Sequence, residues 1–238
     1  METLKEKLEK LSLPWDKNEV NEQEGKADDI LTKEFSKLAP YFLNGGYILV
    51  RNRYRVYLQQ IEFYFHSEQP NIGIEDEIVY HRNNNRVQGE LPYFTPITFH
   101  AHSSGYDIAF ENPIEKYRAS VLIRAYEIYD EKDFEGKNFL KVDNGKFVYT
   151  QEPISNNQST YLYDILNGFG ANEDVCWIDE KQQRDSKIEA PQKRKGVYKR
   201  EKEEYKDKWK DDKYNIPRNR LWRFIRETIT ESQITKRT

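Results

Sequence analysis

The spacing of hydrophobic positions changes several times along the chain, and each change predicts an element. In TLKEKLEKLS, residues 3–12, Leu4, Leu8 and Leu11 recur at helical spacing, and Pro14 ends that helix. Residues 16–26 are polar and read as a loop. ADDILTKEFSKLAPYF, residues 27–42, returns to helical spacing through Ile30, Leu31, Phe35 and Leu38, with Pro40 near its close. Asn44-Gly45-Gly46 then signals a turn. From residue 47 to residue 65 the period shortens to two, predicting strands at YILVRN and YRVYLQQIEFYF with a turn at Arg51-Asn52-Arg53. IGIEDEIVYH, residues 72–81, fits a short helix or a loop, and Asn83-Asn84-Asn85 is punctuation. Strands follow at about 97–102 and 106–110, and YRASVLIRAYEI, residues 117–128, reads as another with a β-branched centre. Asp143-Asn144-Gly145 signals a hairpin, and STYLYDILN, residues 159–167, reads as a helix capped by Ser159. PRNRLWRFIRETIT, residues 217–230, closes the chain, and there are no internal repeats. The expected fold class is α+β, in one domain.

One predicted strand contains a misplaced charge. In LQQIEFYFH, strict alternation puts Glu62 on one face with Val56, Leu58, Gln60 and Tyr64. The other face then holds Tyr57, Ile61, Phe63 and Phe65. Both faces read as mainly apolar and covered. A carboxylate there is costly unless paired, hydrogen-bonded or neutral, and such burial suits general acid–base work. The alternative is an edge strand on which Glu62 points to water or pairs with an arginine. Arg124, in SVLIRAYEI, is a second such charge. It shares a face with Leu122, Tyr126 and Ile128 and requires a carboxylate or an anion.

The histidines are His66, His81, His100 and His102. His100-Ala101-His102 places two imidazoles on one strand face, a spacing that suits a metal if Asp107 or Glu111 completes it. The glycine pattern that flanks a cupin metal site is missing. So are a Cys/His zinc pattern, a Gly-rich phosphate loop and a Gly-x-Ser-x-Gly elbow.

Composition adjusts this picture. Of 238 residues, 37% are hydrophobic and 14% aromatic, so the expected core is modest and rich in tyrosine. The single cysteine, Cys176, excludes an intramolecular disulfide and points to a cytoplasmic protein. No apolar run is long enough for a membrane span, and METLKEKLEK lacks the apolar centre of a signal peptide. A soluble protein with no membrane partner, monomeric by default, is expected. The net charge of −3 conceals an asymmetry. Residues 181–226 carry 17 Lys/Arg against 8 Asp/Glu, a balance of +9, which leaves −12 for the rest. A polyanion is the partner such a basic third suggests. Residues 181–216 are nearly free of aliphatic side chains. They form either a flexible insertion or an exposed helix resting on Tyr198, Tyr205 and Trp209. The expected organisation is an N-terminal helix and loop (1–26), a core (27–180), the basic segment (181–216) and a C-terminal strand or helix completing the core (217–238).

The order of short motifs along most of the chain resembles the alkyladenine (methylpurine) DNA glycosylase family. KLAPYFLNGGYILVR is similar to that family's entry helix and first strand, and QQIEFY to its catalytic strand. EDEIVYH resembles the acidic segment that ends in a pocket histidine. SVLIRAYE is similar to a strand of the pattern Val-Leu-Leu/Ile-Arg-Ala-x-Glu, STYLYDILN to a short Leu-rich helix, and LWRF to a late Arg-Phe strand. The resemblance implies a curved, mainly antiparallel sheet with surrounding helices. It also implies hydrolysis of the N-glycosidic bond of a flipped, modified purine in DNA, without a cofactor. Glu62 would activate water, Tyr64 and His81 would line the base pocket, and Arg124 would stand near it. Some positions depart from the family. If TFHAHSSG aligns through Gly105, Ala101 and Ser104 fall where the family has its stacking and wedge tyrosines, leaving His100 or His102 as substitutes. The family's pocket asparagine falls near Glu111 or Asn112. The gap from Glu62 to His81 is longer, and the Gly-Pro lead to the Leu-rich helix is missing. Phosphate contacts would come from the stretch between Lys193 and Arg226, through Lys193, Arg194, Lys195, Arg218 and Arg220. Two other functions remain open: a catalytically inactive nucleic-acid or nucleotide-binding module of the same fold, and a His-ligated metal enzyme.

Overall fold

Thr3 starts the first helix with a reciprocal cap. Its hydroxyl accepts the Glu6 N–H at 3.2 Å, and the Glu6 carboxylate accepts the Thr3 N–H at 2.8 Å. Helix α1 (Leu4–Glu9) follows and buries Leu4 and Leu8. The computed structural model describes residues 2–11, 24–50, 52, 54–69, 74, 76, 78–79, 81, 91–102, 105–130, 175–194 and 219–227. Helix α2 (Glu24–Asn44) has 21 residues and runs beyond the sequence expectation at both ends, with Pro40 inside it. Its buried residues Leu31, Phe35, Leu38 and Phe42 recur at helical spacing and form one face.

Seven strands form one antiparallel sheet among the described residues: β1 (Gly46–Val50), β2 (Tyr54–Ser67), β3 (Thr98–His102), β4 (Gly105–Ala109), β5 (Tyr117–Asp130), β6 (Val175–Asp179) and β7 (Arg223–Ile225). The order is β3-β4-β5-β2-β1-β6, and β7 pairs with β2. The spine is β2 against β5, each 14 residues long. The opposite edge of β2 takes β1 at Tyr54–Val56 and β7 at Gln60–Glu62. The molecule is thus a strand-rich α+β fold with few helices. The VCWID strand, β6, was not foreseen from its short, mixed pattern. The described positions between 74 and 81 lie in neither helix nor strand. The hairpin signal at 143–145 and the helix expected at 159–167 fall outside the described residues. Among those described, no helix is long and apolar enough to cross a membrane.

The decisive local feature is a double irregularity in β2 and β5. Leu58 faces Tyr126, Gln60 faces Ala125 and Ile61 faces Ile123, so the register of β2 with β5 skips Gln59 on one strand and Arg124 on the other. An extra residue in a strand shifts the side-chain alternation beyond it. Val56 and Leu58 before the irregularity join Ile61, Phe63 and Phe65 after it in one core. Strict alternation is therefore corrected: Glu62 and Tyr64 do not share a face with Val56 and Leu58. Arg124 and Leu122 likewise separate from Tyr126, which belongs to the core. Helix α2 covers the apolar face. Phe35 stacks on Phe63 at 4.4 Å and meets Trp222 edge-on at 5.1 Å, while Phe42 and Phe224 close on Phe63 at 5.8 and 5.6 Å.

The expectation of two apolar faces fails on the other side. Pairing registers connect His100, Asp107, Leu122, Glu62 and Arg223 in one row across β3, β4, β5, β2 and β7. The next row holds Ala109, Ser120 and Tyr64. This face is buried and mostly polar. It carries the candidate chemistry.

Candidate active site

Glu62 has no exposed surface. Its Oε2 accepts from Arg124 Nη2 at 2.6 Å and from the Tyr64 hydroxyl at 3.0 Å. The resemblance placed Glu62, Tyr64 and Arg124 near one pocket; the structure brings the three into contact, with Glu62 paired to an arginine as its structural alternative anticipated. Burial alone would lower the Arg124 pKa, but the adjacent Tyr64 and Glu62 oxygens more than offset it and the pKa is raised. Burial, reinforced by the Glu62 charge, pushes Tyr64 well above the usual phenol range. Arg124 is thus a fixed cation and Tyr64 a neutral donor, both aimed at one carboxylate oxygen.

A second ionic cluster supports the Tyr64 ring. The Arg194 guanidinium lies 4.7 Å from that ring and 5.2 Å from Trp222. Its Nη1 donates to Asp76 Oδ2 at 2.5 Å, and both side chains are fully buried. Arg220 Nε donates to Asp28 at 2.8 Å, and its Nη1 is 3.7 Å from the same Asp76 oxygen. These positions correct the expectation of phosphate contacts at Arg194 and Arg220. Arg194 is neutralised by the buried Asp76 and Arg220 by the partly buried Asp28, and each guanidinium packs on an aromatic ring, so neither faces solvent. Residues 188–194 also run beside β7, through Ile188 with Arg226 and Gln192 with Arg223. The start of the supposed insertion is therefore built into the body. Lys193 is exposed, with Nζ 3.0 Å from Asn219 Oδ1. Lys195 and Arg218 lie outside the described residues.

His81 belongs to a third cluster. Its Nδ1 is 2.7 Å from Glu111 Oε1, and its ring stacks on Phe94 at 3.7 Å and 18°. Glu111 Oε2 accepts from the Phe94 N–H at 2.7 Å and from Arg118 Nη1 at 3.0 Å. The His100 ring is 5.7 Å from His81 and 5.2 Å from Phe94. The His102 side chain lies outside the described residues. Ile78 and Val79 pack on Tyr64 and Leu122, so the segment before His81 bridges this cluster to the Glu62 site. Arg118 pairs with His66, four residues along β2 from Glu62, which separates the clusters by about 13 Å at ordinary strand rise.

Asp107 Oδ2 accepts from Ser120 Oγ at 2.8 Å. Among the described residues no three His, Cys, Asp or Glu side chains gather as metal ligands. Sequence reasoning missed Asp76, Phe94, Arg118 and Arg223, and considered Glu111 only as a metal ligand or as the counterpart of an asparagine. Arg118 carries the clearest signal, a charge two positions from Ser120 on the same strand face as Arg124. Comparison with protein-family models, curated proteins and solved structures finds no match to this chain.

Proposed function

We propose that the protein is a methylpurine-glycosylase-like hydrolase that cleaves the N-glycosidic bond of a modified purine in DNA, with Glu62 as general base. What supports this reading is the burial of the Glu62 carboxylate beside the Tyr64 hydroxyl, on the polar face of a sheet whose other face is an aromatic core; its pairing with Arg124 is the arrangement expected of a structural glutamate. A chain in need of stability alone gains little from such a pair, because desolvation cancels most of the attraction. In the proposed step Glu62 takes a proton from water while the water oxygen bonds to the sugar C1′. The C1′–N bond breaks and its electron pair stays with the purine. An alkylated, cationic purine leaves as a neutral base, so no further acid is required. The Arg124 cation complements the charged form of the carboxylate. The His81–Phe94 ring pair is the candidate stacking surface for an extruded base, and Tyr64, its ring covered by Arg194, acts through its hydroxyl on Glu62.

A second reading has one observation in its favour. Glu62 Oε2 is already engaged by two donors, which suits a binding module that never turns over. DNA carrying methylated purines separates the two readings. Glu62→Gln retains binding and loses base release by about 10²-fold or more, the usual contribution of a general base. Release at the wild-type rate would remove Glu62 from the mechanism. Salt-dependent binding by the wild type without any release establishes the binding module instead.

A further inference from the structure

Among the described residues, Arg223 is the least compensated charge on the polar face. It lies on β7 directly opposite Glu62 of β2 and is 8% exposed. Its Nη2 donates to Gln192 Oε1, while its Nε and Nη1 have no hydrogen-bond partner. The nearby acids are engaged elsewhere. Glu62 Oε2 is taken by Arg124 and Tyr64. Glu189 hydrogen-bonds Gln192, whose Nε2 donates to its Oε2 at 2.6 Å, and its charge acts on Arg223 without a direct bond. Arg194 and Arg220 have Asp76 and Asp28, and Asp107 is hydrogen-bonded to Ser120. Two guanidiniums, those of Arg124 and Arg223, thus flank one carboxylate, and only Arg124 hydrogen-bonds it. The Arg223 pKa is lowered, chiefly by burial; Glu62 offsets this in part and Arg124 adds to it.

A buried guanidinium with two unused donors calls for an anion. We infer that Arg223 forms a subsite for a phosphate group beside Glu62. The anion follows from the charge arrangement; the choice of a nucleotide phosphate rests on the proposed function. Arg223 is the cross-strand partner of Glu62 where β7 pairs with β2, so under the proposed function a phosphate on the sugar attacked at Glu62 has Arg223 as its neighbouring cation. Gln192, holding Nη2 from the neighbouring segment, fixes the guanidinium so that Nε and Nη1, both buried, are the donors left without a partner. The phosphate belongs either to a free nucleotide or to a nucleic-acid backbone.

Titration calorimetry at fixed ionic strength tests this with inorganic phosphate, a purine nucleoside, its 5′-monophosphate and a short single-stranded oligonucleotide. Wild type should bind the monophosphate or the oligonucleotide about tenfold to a hundredfold more tightly than the nucleoside, the range for hydrogen bonds to a charged group. Whichever of the two shows the gain identifies the source. Arg223→Gln should lose the preference and leave nucleoside affinity unchanged. Equal binding of nucleoside and phosphorylated ligands by wild type overturns the subsite, as does a preference that survives in Arg223→Gln. If that variant is unfolded by circular dichroism, the wild-type comparison and Arg223→Lys decide, with a weaker but persistent preference expected for lysine. Arg223-dependent binding of inorganic phosphate without any purine affinity keeps the subsite and defeats the glycosylase reading.

Discussion

Glu62 and Arg124 are buried together, and the energetic consequence appears when one is removed. Arg124→Met leaves a buried carboxylate without its cation and should cost about 3–5 kcal/mol. The double variant Glu62→Gln/Arg124→Met should recover part of that loss. Urea denaturation of the four proteins in the cycle measures it, and a cost below about 1 kcal/mol for Arg124→Met would show that the pair is not desolvated. Glu68 has a different pH signature. Burial works against its charge, but hydrogen bonds from Tyr93 and Arg118 outweigh that and lower its pKa below the ordinary 4.5. A carboxylate depressed on folding stabilises the protein fully above its unfolded value and loses that contribution as pH falls through the folded one. Glu68→Gln should therefore flatten the fall in melting temperature below pH 4.5. An unchanged acid limb in that variant would contradict the assignment. At this scale the sequence revealed the anomaly of each charge but not its partner. Glu62 was readable as a carboxylate in an apolar strand. Asp76 was one acid among several in a polar stretch, and only contact shows that it holds Arg194.

The element that decides the site is the irregular pairing of β2 with β5. The sequence supplies most of the described strands, β6 excepted, because hydrophobic spacing and the Asn-Gly-Gly turn are local signals. Bulges have no comparable signature in LQQIEFYFH, and they reverse the face of every residue beyond them. That is why strict alternation grouped Glu62 with Leu58. The close contact of β1 with β6 is another element-scale property. A Cβ at Gly46 would lie 2.3 Å from the Ile178 carbonyl oxygen and 2.8 Å from the Trp177 ring. Gly46→Ala should destabilise the protein by about 1–3 kcal/mol, as overpacking does, and increase amide exchange in Val175–Asp179 before the rest of the sheet. Uniform exchange across β6 and the β2–β5 spine would argue against this close approach.

The whole molecule divides its labour between two sides of one sheet. Neighbours in sequence therefore differ sharply. Phe63 packs among Phe35, Phe42, Phe110 and Phe224, and Phe63→Ala should cost about 3–5 kcal/mol. Tyr64→Phe keeps the ring beneath Arg194 and removes one hydrogen bond to Glu62, so its cost should be about 1 kcal/mol. Thermal unfolding of both variants checks the contrast, and comparable losses would show that the faces are not distinct. The α+β class, most of the described strands and the first two helices followed from the sequence, because helical and strand periods are set by residues within a few positions of one another. The resemblance grouped Glu62, Tyr64 and Arg124 near one pocket, while the residues alone flagged Glu62 and Arg124 as separate unusual charges in apolar strands. Tertiary structure alone decided that Arg194 and Arg220 turn inward, that His81 pairs with Glu111, and that Arg223 faces Glu62. Those choices depend on partners far apart in the chain, 62 residues for Arg124 with Glu62 and 118 for Arg194 with Asp76, and no local pattern encodes contacts at that distance.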